Sequence, residues 1–337
     1  MRVLLTGATG RVGKQLMSAL LERGDNVRAV VLPGDSALDN VNEEALEVVA
    51  MDLRSPRDLR SCLEGIEAVV HLAATMAWSS DASDELFEAN VRATHLLLKE
   101  AAKVSPGLSR FVLASSDDTY PSLAHTTGLV TEDEPQHPVS FYGATKVVCE
   151  NLALHYWYAQ AMPVVVTRFC LIARSEEIMR PDGWSGRFLF ASSMAGFFAA
   201  LGRPECAELI REASSGHDEC LLLARDESGE PYSFHFADVR DIVAGIQLAL
   251  DRPESTGEIF NLAGPEPFSY GDAVPSLSRA AGIPFVDVSL PGPPIRVRLD
   301  INKAKTRLGY KPIWTVEAVI ADAAGQTLAP PERLGQS

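Results

Sequence analysis

A chain that runs from a short apolar strand straight into a glycine-rich turn and a helix has few folds open to it. Val3-Leu4-Leu5 reads as a buried strand, Thr6-Gly7-Ala8-Thr9-Gly10-Arg11-Val12-Gly13 follows at once, and Lys14 to Arg23 has the composition of a helix. Such a junction is a phosphate cradle. Glycines let the backbone approach a pyrophosphate, and the helix N-terminus directs free N–H groups and a positive dipole end at it. The spacing is G-x-x-G-x-x-G rather than the G-x-G-x-x-G of ordinary dinucleotide dehydrogenases. A tight turn without a ligand is the plainer reading. Placement directly after a strand at the N-terminus favours a nucleotide site.

The pattern then repeats. Val27 to Leu32, Leu46 to Ala50, Ala68 to Leu72 and Phe111 to Ala114 read as further buried strands, with a helical periodicity from Asp84 to Val104 between the last two. Strand–helix alternation of this kind implies a Rossmann-type α/β fold, a doubly wound parallel sheet covered on both faces. An acid after the second strand binds the adenosine ribose, and an arginine there accommodates a 2′-phosphate. Here Asp35 is placed to reach the ribose and Arg11 to meet a phosphate, so the reading leans to NAD and leaves NADP open. Asp52, at the end of the third strand, suits either the adenine amino group or the cap of a helix starting near Ser55-Pro56.

Bulk properties exclude several classes. The net charge of −15 and the lack of a basic cluster argue against nucleic acid. Five cysteines, scattered and never in C-x-x-C, offer no zinc site and suit a reducing cytosol. No export signal is visible, and the longest apolar run, Phe188 to Leu201, is interrupted by Ser192, Ser193 and Gly196 and is too short for a bilayer. A cytoplasmic protein with no metal and no membrane or nucleic-acid partner is expected.

The chemistry-bearing residues gather at the fifth strand and the helix that follows. Ser115-Ser116-Asp117-Asp118 stands at a strand's carboxyl end, where such sheets bind ligands. Ser140-Phe141-Tyr142-Gly143-Ala144-Thr145-Lys146 opens a helix running to about Gln160. Tyr142 and Lys146 lie four apart and so share a helix face. A cation beside a phenol lowers its pKa from roughly 10 toward the working range, and the pair then exchanges a proton with a substrate oxygen while a hydride moves. Asp117 and Asp118 on their own read as caps of a turn near Thr119-Tyr120-Pro121.

Taken together, these residues resemble the extended short-chain dehydrogenase/reductase superfamily, in its NAD-dependent epimerase/dehydratase branch. The likeness runs from residue 1 to about 312 and adds Val70-His71-Leu72-Ala73-Ala74, Asn90 and Phe234-His235-Phe236-Ala237-Asp238-Val239 to the motifs above. It implies Tyr142 as catalytic acid/base, with Lys146 binding the nicotinamide ribose and lowering the tyrosine's pKa. It implies that Ser116 hydrogen-bonds the substrate oxygen, that Asn90 holds a helix kink or relays water, and that Asp117 is a candidate acid or base. Cofactor contacts are implied at Gly7, Thr9, Gly10, Arg11, Val12 and Gly13, at Asp52 and Leu53 on adenine, and at Leu72, Ala73, Ala74, Ala114, Ser115, Phe169, Tyr142 and Lys146. A homodimer through Asn90–Lys103 and Tyr142–Gln160 is implied as well, with His155-Tyr156-Trp157-Tyr158 either at that interface or in the core.

Three departures bear on the substrate. Nucleotide-sugar enzymes of this branch carry an Asn just past the sixth strand, where Thr167-Arg168-Phe169-Cys170-Leu171-Ile172 has an apolar residue. They also carry an Arg four residues before the histidine of Phe234-His235, in the stretch held here by Pro231 and Tyr232. A further Arg precedes their late Pro-Gly, where Leu290 precedes Pro291-Gly292. Apolar side chains do not replace a guanidinium on phosphate oxygens; Arg225, Arg296 and Arg298 are the candidates to compensate. The expected domains are 1–173 for the dinucleotide, with 232–262 returning to it, then 174–231 and 263–327 as a substrate-binding lid, and a frayed tail from 328. Trp184, Phe188, Trp78 and Met76 are candidates for the pocket wall. The expected activity is hydride transfer between nicotinamide and a secondary alcohol or ketone of a small sugar-like substrate without a nucleotide diphosphate. An epimerase or dehydratase that keeps its NAD is the alternative, and a non-catalytic nicotinamide sensor the third.

Overall fold

The structure, a computed structural model, describes residues 1–55, 59–77, 82–104, 107–121, 128–295 and 298–325. The first half alternates as expected: β1 Arg2–Thr6, α1 Arg11–Glu22, β2 Asn26–Val31, β3 Leu46–Ala50, α2 Leu59–Cys62, β4 Ala68–His71, α3 Ser83–Leu86, α4 Ala93–Val104, β5 Arg110–Ser116, α5 Phe141–Gln160 and β6 Val164–Phe169. The second half adds β7 Leu171–Ala173, α6 Ser175–Ile178, α7 Ala191–Ala200, α8 Pro204–Ser214, β8 Leu221–Arg225, β9 Ser233–Phe234, β10 Phe236–Asp238, α9 Val239–Asp251, β11 Ile259–Leu262, β12 Phe268–Ser269, α10 Tyr270–Ala281, β13 Phe285–Ser289 and α11 Val316–Ala323.

Seven strands form one parallel sheet in the order β11-β6-β5-β4-β1-β2-β3. The order reverses beside β1, between β2 on one side and β4 on the other, so the crevice at the strands' carboxyl ends opens there. Val and Leu dominate the central strands because both sheet faces are covered. One face packs on α1 and α9 through Leu16, Leu20, Ile242 and Ile246. The other packs on α2, α4 and α5 through Leu59, Leu97, Leu98, Cys149 and Ala153.

A second core is separate from these and aromatic. Phe188, Phe198, Tyr232, Phe234, Phe268 and Tyr270 pack with α7, α8 and α10 beneath the two-stranded β8–β13 ribbon. Phe268 stacks on Tyr270 with centroids 6.0 Å apart and ring planes 8° from parallel. Two sequence assignments shift. Leu299, Ile301, Ala304, Leu308 and Tyr310, expected in the lid, pack in the sheet core with α9. Tyr232, Phe234 and Phe236, expected with the sheet, belong to the aromatic core. Hydrophobic pattern marks these residues as buried without saying in which of two cores. The helix expected over 84–104 is interrupted by a π-turn, Phe87–Arg92. The tail from 328, Trp78, Arg296 and the helix start at Pro56 lie outside the described residues. No helix among the described residues is long and apolar enough to cross a membrane.

Candidate active site

The cradle is built by contacts that only glycine permits. Gly7 has a φ of +70°, and a Cβ there would lie 2.8 Å from the Ala73 nitrogen. At Gly13 a Cβ would come within 2.0 Å of the Gly7 carbonyl oxygen, so the first turn of α1 rests directly on the loop. The Gly10 N–H closes the turn by donating to Gly7 O at 3.0 Å. Gly10 is also the N-cap of α1, and no side chain caps that helix end. The free amides of the first turn therefore face the crevice, and the cradle fits a dinucleotide's pyrophosphate.

At the adenosine end, Asp35 Oδ2 accepts from Thr9 Oγ1 at 2.7 Å and Asp35 Oδ1 from the Ala37 N–H at 3.0 Å. These hydrogen bonds, the Ala37 amide foremost, hold the Asp35 carboxyl below its ordinary range. A carboxylate fixed beside the glycine turn suits ribose hydroxyls and repels a 2′-phosphate. Arg11 is already engaged. Its guanidinium pairs with Glu177 of α6 and lies 5.6 Å from the Trp184 ring centroid. Asp52 accepts from its own turn, the Arg54 backbone N–H at 2.9 Å and the Arg54 guanidinium through both oxygens. Its carboxylate thus closes a turn, while Leu53 is buried among α2 residues.

The chemical end is assembled from β5 and the start of α5. Ser140 caps α5 by accepting from the Gly143 N–H at 2.8 Å. A Cβ at Gly143 would lie 2.1 Å from the Asp118 carbonyl oxygen, so the helix start sits flush on the strand end. That contact brings Tyr142 and Lys146 to Ser116. Lys146 donates to Ala114 O at 3.0 Å, with its ammonium 5.6 Å from the Tyr142 ring centroid. Ser116 Oγ accepts from the Asp118 N–H at 3.1 Å and donates to Asp117 Oδ1 at 3.2 Å.

Electrostatics differ from the expected lowered phenol. Burial, with the Asp118 and Asp117 carboxylates behind it, pushes Tyr142 up, and the Ser116 hydroxyl only partly opposes this. Burial also pulls the Lys146 ammonium below its ordinary range, opposed by Cys149 and Glu150. A buried pair loses solvation on both members, which outweighs their mutual help. Tyr142 therefore stands as a protonated acid. Asp117 is pushed up to about 7 by burial and by Asp118, which makes it the group poised to change charge near neutrality.

A cleft of about 900 Å³ runs from the glycine cradle to the chemical end. Of the residues expected to contact cofactor, Gly7, Gly10, Arg11, Val12, Gly13, Leu72, Ala74, Ala114, Ser115, Tyr142, Lys146 and Phe169 line it, as do Ser116, Asp117 and Asp118. Thr9, Asp52, Leu53 and Ala73 are not part of that wall. Asn90 is 1% exposed and lies behind it. Its side chain donates to Thr75 O at 2.9 Å and Thr145 Oγ1 at 3.1 Å and accepts from the Thr75 N–H at 2.8 Å. Asn90 thereby pins the chain after β4 to α5 from within the π-turn. The opposite wall is the aromatic lobe, with Trp184, Arg187, Phe188 and Phe197; Met76 also contributes.

Sequence reading missed the support beneath this site. Glu150, one turn past Lys146, accepts from Ser115 Oγ and pairs with Arg168 at 2.7 Å, both side chains at most 3% exposed. Arg168 also donates to Tyr120 Oη at 2.7 Å, and Tyr120 to Asn261 at 2.8 Å. The Tyr142–Lys146–Glu150 spacing was the available signal for Glu150. Nothing local marks Arg168.

A sequence model of the NAD dependent epimerase/dehydratase family matches residues 3–263. An uncharacterized UDP-glucose epimerase of Bacillus subtilis is 28% identical over 334 residues, covering 94% of this chain and 95% of that protein. Among solved structures, a short-chain dehydrogenase/reductase superfamily protein from Agrobacterium tumefaciens with bound NAD superposes with a TM-score of 0.87 at 33% identity, covering 97% of each chain. UDP-glucuronic acid 4-epimerase from Bacillus cereus, in complex with UDP-glucuronic acid and NAD, gives 0.73 at 25% identity, with 97% and 98% covered.

Proposed function

The chain belongs to the NAD dependent epimerase/dehydratase family, and we propose that it uses NAD to oxidise or reduce a secondary alcohol or ketone of a small sugar-like substrate. It is an NAD-dependent enzyme of the short-chain dehydrogenase/reductase type. The convergence of Ser116, Tyr142 and Lys146 on one cleft with the glycine cradle carries the reading. Bound there, the nicotinamide supplies the hydride acceptor or donor. Tyr142 Oη–H gives its proton to the carbonyl oxygen during reduction and takes it back during oxidation. Ser116 Oγ–H holds that oxygen, and Lys146 steadies the phenolate and binds the nicotinamide ribose. The Asp35 carboxylate supports NAD over NADP.

A substrate without a nucleotide diphosphate is supported by the fate of the positions where arginines are wanted. Tyr232 and Leu290 are fully buried in the aromatic core. Arg225 is bound to Asp287, at 2.7 Å. A second reading, transient oxidation followed by epimerisation or elimination with no net redox change, is favoured by Asp117. A carboxyl near 7 beside Ser116 is suited to moving a proton at carbon next to the new carbonyl. Following the reduced-nicotinamide absorbance through turnover separates the two. Stoichiometric NADH supports the dehydrogenase; tightly held NAD and a silent band support the isomerase or lyase. We also propose a homodimer through α4 and α5. Phe141 and Val148, seven residues apart and so on one face of α5, are both exposed, and Tyr158 is exposed near the end of the same helix.

A further inference from the structure

Three cations line the cleft among the described residues: Arg11, Lys146 and Arg187. Two have their charge engaged. Arg11 is paired with Glu177, and Lys146 donates to Ala114 O at 3.0 Å. Arg187, in the short 3₁₀ turn Gly186–Phe188, makes no ion pair and no side-chain hydrogen bond among the described residues. Its guanidinium carbon lies 4.9 Å from the ring centroid of Trp184. Stacking on an aromatic face leaves a guanidinium's edge, with its fork of N–H donors, available to a planar anion.

The surroundings make this cation conspicuous. The chain carries a net charge of −15, and the cleft holds Asp117 and Asp118, so the site repels anions unless a dedicated group receives them. Arg187 is half-buried, and a half-buried guanidinium without a counter-ion gives up solvation for nothing until one arrives. It belongs to the aromatic lobe, adjacent to Phe188, whose ring meets Phe197 at 5.5 Å; both line the cleft. We propose that the substrate is a hydroxylated carboxylic acid and that Arg187 receives its carboxylate while Phe188 and Phe197 cover its apolar face. The guanidinium fork matches the two oxygens of a carboxylate bidentately. The inference rests on the dehydrogenase reading and names its substrate class.

Matched pairs test it: hexuronate against hexose, aldonate against alditol and 3-phenyllactate against its alcohol, with hexose phosphates as a further arm. Each is titrated calorimetrically into NAD-loaded protein and assayed for NADH formation. The acid of a pair is expected to bind and react about 10- to 100-fold better than its neutral partner, the scale of one charge-assisted pair. Arg187→Gln should bring the acid down to the level of the neutral compound, and Arg187→Lys should restore part of the preference. NAD affinity should stay within about twofold in both variants, a shift of under ~0.5 kcal/mol. The proposal is overturned if no acid binds, if neutral or phosphorylated compounds match the acids, or if Arg187→Gln weakens NAD while leaving acid preference intact. Acids that bind through Arg187 without any turnover would instead sink the dehydrogenase reading and leave this one standing.

Discussion

At the residue scale, the site is governed by desolvation more than by the pairing of Tyr142 with Lys146. Tyr142→Phe removes the hydroxyl that exchanges a proton with the substrate oxygen in either direction of the reaction. Its kcat is expected to drop by about 10²- to 10⁴-fold, with NAD affinity retained, as read by steady-state kinetics and calorimetry. Asp117 makes a separate prediction. Its carboxyl binds a proton more tightly in the folded chain than in the unfolded one, where its value is near 3.8. Stability from this group is therefore present at low pH and lost as pH rises from the ordinary carboxylate range through about 7. Asp117→Asn should flatten that part of a melting-temperature profile. If Asp117 is the base of the second reading, the rising limb of kcat near neutrality should vanish as well, and full turnover in the variant would end that reading.

At the element scale, the placement of whole helices depends on a few close approaches. Gly13 lets α1 rest on the cradle, and a Cβ there would overlap the Gly7 carbonyl. Gly13→Ala is expected to weaken NAD binding about tenfold or more, a loss of at least ~1.4 kcal/mol. Calorimetry would measure this, and unchanged circular dichroism would show that the loss is local. Glu150 ties α5 to β5 and β6 through Ser115 and Arg168. Glu150→Ala leaves a guanidinium buried without its anion and should cost about 3 to 5 kcal/mol in chemical denaturation. A variant as stable as the parent would show that Arg168 is satisfied without Glu150.

On the scale of the whole molecule, the sheet layer carries the glycine turn with Ser116, Tyr142 and Lys146, and an aromatic lobe closes the other wall. Arg11 links them, reaching from the glycine turn to Glu177 and Trp184. The outer side of α5 leaves Val148 exposed at 41%. If α5 forms the proposed dimer interface, Val148→Glu should give a monomer by size-exclusion chromatography with light scattering, while the parent elutes as a dimer. A parent that is already monomeric would remove the dimer from the account.

The strand–turn–helix opening, the buried strands of the sheet and the shared helix face of Tyr142 and Lys146 were legible because each depends on neighbours in the chain, whereas Ser116 was singled out through the family resemblance. A glycine pattern, a run of buried β-branched residues and a spacing of four on a helix carry their geometry with them. Other features depended on which distant segments meet. The segment 299–310 joined the sheet core and Tyr232 the aromatic one, a choice that hydrophobicity does not encode. The phenol's direction of shift reversed because burial is a property of the packed site and not of the helix face. Arg187 stood out only after Glu177 had occupied Arg11, a pairing across 166 residues that no local pattern reveals.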